Sequence, residues 1–468
     1  MTFKKDIIQL YILFALAVLV TYKMPQAIGL IFQIILLIIF WRSKRDYFWL
    51  AFVFIIQNFP GGLFSRYTND IQHTFSLLQS SPAGTLYFWM VFIIIAFIKS
   101  LKIKSKYEII VINNIKILFV YFLILLVTFG IYKITAVSRT LLPWLFLFVL
   151  PKLMSKKKDY VNFFNLIFSF VFFVFFSQIF QIIFRITVAK ALGGSMTLVE
   201  SDELSRALRP WDGIFIPLLA IMGSLFFITF KDKYFNKNYL ILILGLSIFS
   251  IFITATRMWI ISSMFILFAY IYSVAKNKTF IIKRFVLPLI FILVLINTIP
   301  VLSQQVSLSL KRFETLQYLM KGDLTAGGTL KRLDIRRPRV LNKFYQSPVI
   351  GWGYGKVARE YSDLHVGNEN MLLHTGLIGY SLWLWLWLTF IFKLLRLNMK
   401  LSYNNPYKNV PKVFIIFFIA ILILHSSAQW FGYQLSFLAG YTIIFLFSFA
   451  SFVYSDSLSI EYYKKESK

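Results

Sequence analysis

The chain is built from long apolar runs separated by short polar connections, and the length of the runs predicts membrane-spanning helices. Each is about 16 to 24 residues long, what a helix needs to cross a hydrocarbon core of about 30 Å. Spans are expected near 7–22, 26–41, 47–64, 84–99, 112–132, 140–154, 160–184, 211–230, 239–255, 257–275, 282–303, 371–392, 411–430 and 433–454. The runs near 47–64 and 140–154 are short, and either can be re-entrant. The expected fold is therefore an all-α polytopic membrane protein with about 12–14 transmembrane helices. No Gly/Ser-rich or Pro-rich linker interrupts the pattern, so residues 1–468 read as a single integral-membrane domain. Its outer loops fall at 185–212 and 304–370, the larger between the eleventh and twelfth runs. The first run begins at Ile7 behind Lys4 and Lys5, and no small-residue cleavage site follows it, so it is expected to be retained as a helix.

Composition agrees with this pattern: 59% of residues are hydrophobic, 15% are charged, and mean hydropathy is +0.73. The net charge of +30 would suggest nucleic acid in a soluble protein, but here it sorts by side of the membrane. Arg42, Lys44 and Arg45, then Lys99 to Lys106, Lys152 to Lys158, Lys231 to Lys237, Lys276 to Arg284 and Lys393 to Lys400 all fall on one side, with both termini. The positive-inside rule makes that side cytoplasmic, so most of the charge is topological signal plus attraction to anionic membrane lipids, with no nucleic-acid partner.

The opposite side carries basic residues that topology does not ask for. They include Arg185, Arg206 and Arg209 in the first outer loop and Arg332, Arg336, Arg337, Arg339, Lys343 and Arg359 in the second. Arg predominates among them, and its planar fork binds phosphate through two donors. One reading is a phosphate-bearing ligand outside the membrane; the other is a solvated loop of mixed charge, with Asp334, Asp363 and Glu369 pairing some of the arginines. Cysteine is absent, which excludes disulfides and thiolate chemistry. The four histidines, His73, His365, His374 and His425, show no metal-ligand spacing, so no protein-held metal or other cofactor is expected.

Taken in order, the amino-terminal half reads as scaffold. Asn58–Gly62 breaks the third run, and Ile71–Leu78 is expected as a short interfacial amphipathic helix, with Arg66 and His73 nearby. The run Phe163–Phe176 reads as a packing surface. In Glu200–Asp212, Ser201 or Asp202 followed by Glu203 predicts a surface helix with Arg206 and Arg209 one turn apart on one face. Arg257 opens the tenth run within apolar sequence from Tyr239 to Ala275, an expensive setting that reads either as a site residue or as a snorkelling helix-end arginine. In the large loop a helix is expected over Leu333–Tyr345, with Pro338 tolerable only near its first turn. Gly351, Gly353 and Gly355 follow Ser347-Pro348. They read as a phosphate cradle or as a hinge and close-packing element, and no βαβ unit makes them a dinucleotide fingerprint.

Three pieces of this half, in order, resemble the bacterial O-antigen ligase and O-antigen polymerase superfamily. Thr256-Arg257 looks like its Ser/Thr-Arg element, and Arg332 with Ser347-Pro348-Val349-Ile350-Gly351-Trp352-Gly353-Tyr354-Gly355 looks like its Arg…Pro-x-x-Gly-x-Gly-x-Gly element. His365 followed by Gly376-Leu377-Ile378-Gly379 has the spacing of the ligase pattern, although position 366 is Val, and Arg339 to Gly351 misses the polymerase Arg-x10-Gly spacing by one residue. The resemblance implies a glycosyltransferase C-like membrane fold. It also implies a metal-independent, inverting transfer of an undecaprenyl-diphosphate-linked glycan to a glycan or lipid A-core type acceptor, at the outer face of the bacterial cytoplasmic membrane. In that reading Arg257 and Arg332 hold the diphosphate, with Arg336, Arg339, Arg206, Arg209 and Gly353 as further substrate contacts. His365 would orient or deprotonate the acceptor hydroxyl. The alternative class is a flippase for lipid-linked oligosaccharide or a polysaccharide exporter. The charge gathered in one outer loop and the absence of a visible internal repeat speak against it.

Overall fold

The computed structural model describes residues 2–59, 65–68, 71–74, 76–81, 84–131, 141–192, 199–200, 207–210, 212–230, 234–275, 278–311, 313–314, 317, 320–323, 332–363, 365–428, 430 and 437–466. In chain order the helices are α1 (Thr2–Lys23), α2 (Gln26–Arg42), α3 (Asp46–Gln57), α4 (Phe88–Leu101), α5 (Ile112–Phe129), α6 (Phe146–Leu153), α7 (Lys157–Phe184), α8 (Val188–Ala191), α9 (Phe215–Thr229), α10 (Lys237–Ile253), α11 (Arg257–Ser273), α12 (Lys278–Thr298), α13 (Pro300–Lys311), α14 (Arg337–Phe344), α15 (Lys356–Tyr361), α16 (Gly367–Lys400), α17 (Val410–Ser427) and α18 (Phe437–Glu466). Short antiparallel pairs join β1 (Ser65–Thr68) to β2 (Ile71–Thr74), β3 (Ser76–Ser81) to β4 (Gly84–Tyr87), and β5 (Val199–Glu200) to β6 (Leu208–Arg209).

Among the described residues six helices are long and apolar enough to cross a membrane: α1, α5, α7, α16, α17 and α18. A seventh span results if α12 and α13, bent by 110°, count as one. Shorter apolar helices of 12–17 residues are α2, α3, α4, α9, α10 and α11. α3 has 12 residues, which is roughly 18 Å of helix and too short to span alone. Every residue from Phe48 to Gln57 in it is buried, so its all-round apolarity reflects enclosure by protein.

Two expected helices take extended form. Ile71–Leu78 does not form an amphipathic helix: Ile71–Thr74 pairs with Ser65–Thr68, and Ser76–Ser81 with Gly84–Tyr87, putting Arg66 opposite His73 in the register. Asn69-Asp70 and Ser81-Pro82 cut this stretch into pieces too short to nucleate a helix, whereas hairpins need only such lengths. Similarly, Leu208–Arg209 pairs with Val199–Glu200, so Arg209 lies on a strand. Arg206 lies outside the described residues.

The chain divides into two compact units, 1–105 with 148–264 and 275–312, and 106–147 with 265–274 and 313–468. In the first, Phe-rich α7 is the central element. Gly223 lets α9 approach it so closely that a β-carbon there would lie 2.3 Å from the Phe164 ring. Phe164 and Phe227 pack edge to face at 5.7 Å, and Phe168 and Phe235 at 5.3 Å, so the Phe163–Phe176 run is a packing surface. Charges close one end of the unit. Arg45 pairs with Asp6 at 2.7 Å, and Lys99 reaches Asp46 at 2.5 Å and the carbonyls of Phe40 and Ser43.

In the second unit α16 is the spine, contacting α5, α14 and α17. At the Lys400 end, Asn405 and Ser402 bind Glu461, Tyr407 donates to Asp456, and Lys408 caps the carbonyls of Asn398 and Leu401. This ties the α16–α17 connection to the last turns of α18.

Candidate functional site

The site in the second unit starts from a break in α16. Gly376 has φ 63 and ψ −171, a backbone state essentially reserved for glycine, and it interrupts the helix after its ninth residue. In an unbroken helix the N–H groups of Leu377 and Ile378 would donate to the carbonyls of Leu373 and His374. Here the Pro348–Gly353 segment is spliced into the gap. Trp352 N–H donates to Leu373 O at 2.8 Å and Gly353 N–H to His374 O at 2.9 Å; in return Leu377 N–H donates to Pro348 O at 2.9 Å and Ile378 N–H to Val349 O at 3.2 Å. Four bonds to a foreign segment replace the two helical bonds lost, so no backbone group at the break is orphaned.

The splice explains the glycines. Gly351 (φ 72) and Gly376 touch backbone to backbone: a β-carbon on Gly351 would lie 2.5 Å from Gly376 N, and one on Gly376 2.3 Å from Val349 O. Gly353 (φ 60) and Gly355 press on the end of α5, where β-carbons would meet Phe129 at 2.5 Å and 2.6 Å. Gly379 leaves room for Thr375 and Tyr121, and the Tyr121 hydroxyl donates to Thr375 O at 2.7 Å. The N–H of Gly351 donates to Ser347 O, so the N–H groups of residues 351 to 353 all face protein carbonyls. Gly353 is thus a packing glycine whose N–H is committed to His374.

His374 was not singled out by sequence. It is fully buried, its Nδ1 lies 3.0 Å from Gly353 O, and its ring stacks on Tyr354 at 5.6 Å. Its neighbour His425 is equally buried, 3.0 Å from the Met371 sulfur and accepting the Trp430 N–H.

On the outside of the splice lies the cationic segment. Arg332–Arg336 forms a π-type turn leading into α14, with Pro338 in its first turn, so the expected helix over Leu333–Tyr345 is present in its second half. α14 is anchored on the start of α16 by Val340, packed with Val366 and Leu373. Its polar face is paired: Arg337 binds Glu369 at 2.9 Å, and Arg336 and Arg339 share Asp363 at 3.6 and 4.0 Å. Lys343 sits over the rings of Trp352 at 4.3 Å and Tyr361 at 5.1 Å. Three arginines thus face two carboxylates in these contacts, and the carboxylates, at 15% exposure, are the less exposed partners while the arginines remain 38–52% exposed.

Asp363 is the hub. It accepts the backbone N–H of His365 at 2.9 Å, and its own backbone N–H and C=O are both bound by the buried side chain of Asn370. Asn370 therefore sets the turn that presents His365, which is exposed beside the arginines. Sequence reading missed Asn370 because a lone Asn in the first turn of a helix carries no distinguishing spacing.

In the first unit, Gln305 of α13 plays the corresponding structural role. It accepts Leu208 N–H at 3.1 Å and donates to Leu208 O at 2.7 Å and Ile253 O at 2.9 Å, joining β6 to the end of α10. Four residues beyond Ile253, after Ala255 with φ 52, α11 opens on Arg257. The Nε atoms of Arg209 and Arg257 are both buried, and Arg257 as a whole is half-buried. Trp259 packs edge to face on Phe215 at 5.3 Å, next to the Asp212–Ile214 turn. Burial pushes the Asp212 carboxyl up to about 6.

Among the described residues no group of three or more His, Asp or Glu could hold a metal ion. These features define a class, a helical multi-pass membrane protein with a folded cationic segment capping a broken helix. Compared with known proteins, the chain matches no family model and no curated protein.

Proposed function

We propose that the chain is a membrane glycosyltransferase that moves an oligo- or polysaccharide from undecaprenyl diphosphate to an acceptor sugar, of glycan or lipid A-core type, during cell-surface polysaccharide synthesis. The observation that carries this reading is the splice. The Pro-x-x-Gly-x-Gly and Gly-x-x-Gly pieces, through which the chain resembles the O-antigen ligase and polymerase superfamily, are the two halves of one packed unit, and that unit supports the arginines and His365.

Because the N–H groups of Gly351, Trp352 and Gly353 are consumed internally, this reading gives the diphosphate to side chains. Arg332 is the leading group, with Arg336 and Arg339 close to it in sequence; the resemblance gives Arg257 of the first unit the same role, with Arg206 and Arg209 as further substrate contacts. Guanidinium groups there would stabilise the negative charge that grows on the leaving diphosphate as the C–O bond to the anomeric carbon breaks. The acceptor hydroxyl forms the new C–O bond from the opposite face and gives its proton to His365, whose chemistry suits a general base. The active site would face the outer side of the bacterial cytoplasmic membrane, with both chain termini inside.

The test uses purified protein in proteoliposomes with an undecaprenyl-diphosphate-linked glycan and an acceptor. A new glycosidic product is expected, lost by at least about a hundredfold in Arg332→Ala, Arg257→Ala and His365→Ala. Translocation without product, or full transfer by all three variants, overturns the reading.

A further inference from the structure

The second unit holds a cavity at the other end of α16 from the splice. Lys393 in its wall lies seventeen residues past Gly376, roughly 26 Å along the helix and so about a bilayer's hydrocarbon thickness away. The cavity measures about 380 Å³, within the range of small-ligand sites, and its polar lining includes Glu108, Asn113, Lys393, Tyr454 and Ser455. Its wall is fixed by the backbone of Ile110, whose N–H donates to Ser451 Oγ at 3.0 Å and whose carbonyl accepts from the Lys393 ammonium at 2.5 Å. That bond uses one of the three N–H donors of Lys393. Among the described residues no ion pair joins Glu108 or Lys393 to an opposite charge, although both line the same cavity.

Next to this mixed-charge cavity the surface is apolar. On α16, Leu388 is 51% and Phe392 62% exposed; on α5, Ile117 is 45% and Val120 57% exposed. The two helices are neighbours, joined by Asn114 donating to Thr389 at 3.1 Å, and Ile117 lies one turn from Asn113 on the same face. A polar cavity carrying one positive and one negative group, continued by an exposed hydrocarbon-like strip on membrane-length helices, has the shape and polarity of a phospholipid turned inside out.

We propose that this cavity binds the headgroup of a zwitterionic aminophospholipid of the ethanolamine type, with the phosphate on Lys393, the primary ammonium on Glu108 and the acyl chains along the α5–α16 strip. The charges select this class. A purely anionic headgroup or inorganic phosphate brings its charge against Glu108. A choline headgroup has the right net charge but no N–H to give the carboxylate. Phosphate and primary ammonium on one headgroup satisfy both side chains together, and Asn113, Tyr454 and Ser455 supply neutral partners for the phosphate oxygens.

The experiment is lipid competition on the full chain. Delipidated protein in detergent is incubated with equimolar phosphatidylethanolamine, phosphatidylcholine and phosphatidylglycerol of matched acyl chains, and retained lipid is counted by native mass spectrometry. The wild type is expected to retain the ethanolamine lipid about fivefold over the choline lipid, the value of one exposed charge-assisted contact. Glu108→Gln should bring that ratio to about one, and Glu108→Asp should restore most of it; Glu108 is exposed, so both variants retain the fold. Equal retention of the three lipids, preference for phosphatidylglycerol, or an unchanged ratio in Glu108→Gln overturns the proposal. Displacement of the lipid by millimolar phosphoethanolamine alone would assign the cavity to a soluble ligand and overturn it equally.

Discussion

Replacing Gly376 by Ala should unlatch the cationic segment while leaving the transmembrane helices folded. The added β-carbon would lie 2.3 Å from Val349 O and 2.5 Å from Gly351 N, both backbone atoms that cannot swing away. The backbone at φ 63 and ψ −171 already costs a non-glycine residue about 1–3 kcal/mol. Relief of the clash requires pulling Pro348–Gly353 out of the break, which forfeits four hydrogen bonds at about 1 kcal/mol each. The sum, about 5–7 kcal/mol, acts on local opening and not on the whole chain. Gly130 provides the control: its φ is also positive, at 70, but no atom lies within 4 Å of the position a β-carbon would take. Gly130→Ala therefore carries backbone strain alone. Limited proteolysis in detergent, read at the Tyr345–Tyr361 stretch, should show cleavage in Gly376→Ala faster by at least about a thousandfold where opening is pre-equilibrated, and a change of about tenfold in Gly130→Ala. Equal rates in the two variants would mean that the splice does not hold the segment.

Gly351→Ala dislodges the same contact from the other side, so the Gly351→Ala, Gly376→Ala double variant should open little more than either single one, a non-additivity of about 2 kcal/mol or more in the same assay. Asp212 supplies a pH dependence. Its carboxyl titrates near 6 in the fold against 3.8 ordinarily, so the folded state holds the proton more tightly; its contribution is most favourable below about 3.8 and is lost as pH rises through about 6. Thermal unfolding should show stability falling by about 3 kcal/mol across that window, and Asp212→Asn should flatten the profile. Lys99→Ala strands the largely buried Asp46 and two carbonyls, and should cost about 3–5 kcal/mol, against about 1 kcal/mol for Arg45→Ala, because Arg45 is itself 45% exposed and Asp6 keeps the Tyr47 hydroxyl; equal melting shifts would refute the ranking.

Much of this fold was legible in the sequence because apolar run length reports helices directly, and Pro338, Phe163–Phe176 and the Arg336–Arg339 cluster each stand in the element expected of them. Three things were not legible. Hydropathy cannot tell lipid from protein as surroundings, so α3, enclosed on every side, reads like a span although it has 12 residues. Hairpins at 65–87 depend on tertiary pairing of segments that have no strong periodicity of their own. The break in α16 needs a partner some 25 residues upstream in sequence, and the glycines of each piece reveal only that something comes close, not that they come close to each other.

That last point reorders the candidate residues. An alternating-glycine stretch beside arginines invites a phosphate cradle built from backbone N–H groups. Here the N–H groups of Gly351, Trp352 and Gly353 end on Ser347, Leu373 and His374, so these three are not the donors of such a cradle. The side chains are themselves held: Arg336 and Arg339 by Asp363, and Asp363 by Asn370. An incoming diphosphate therefore competes with Asp363 for both arginines. Asp363→Asn weakens that competition while keeping the turn bonded to Asn370 and His365, so it should tighten binding of a diphosphate lipid several-fold. Asn370→Ala, which frees the turn, should weaken transfer without gaining affinity. If both variants bind the lipid diphosphate as the wild type does, Arg336 and Arg339 are structural cations, and the anion site lies with Arg332.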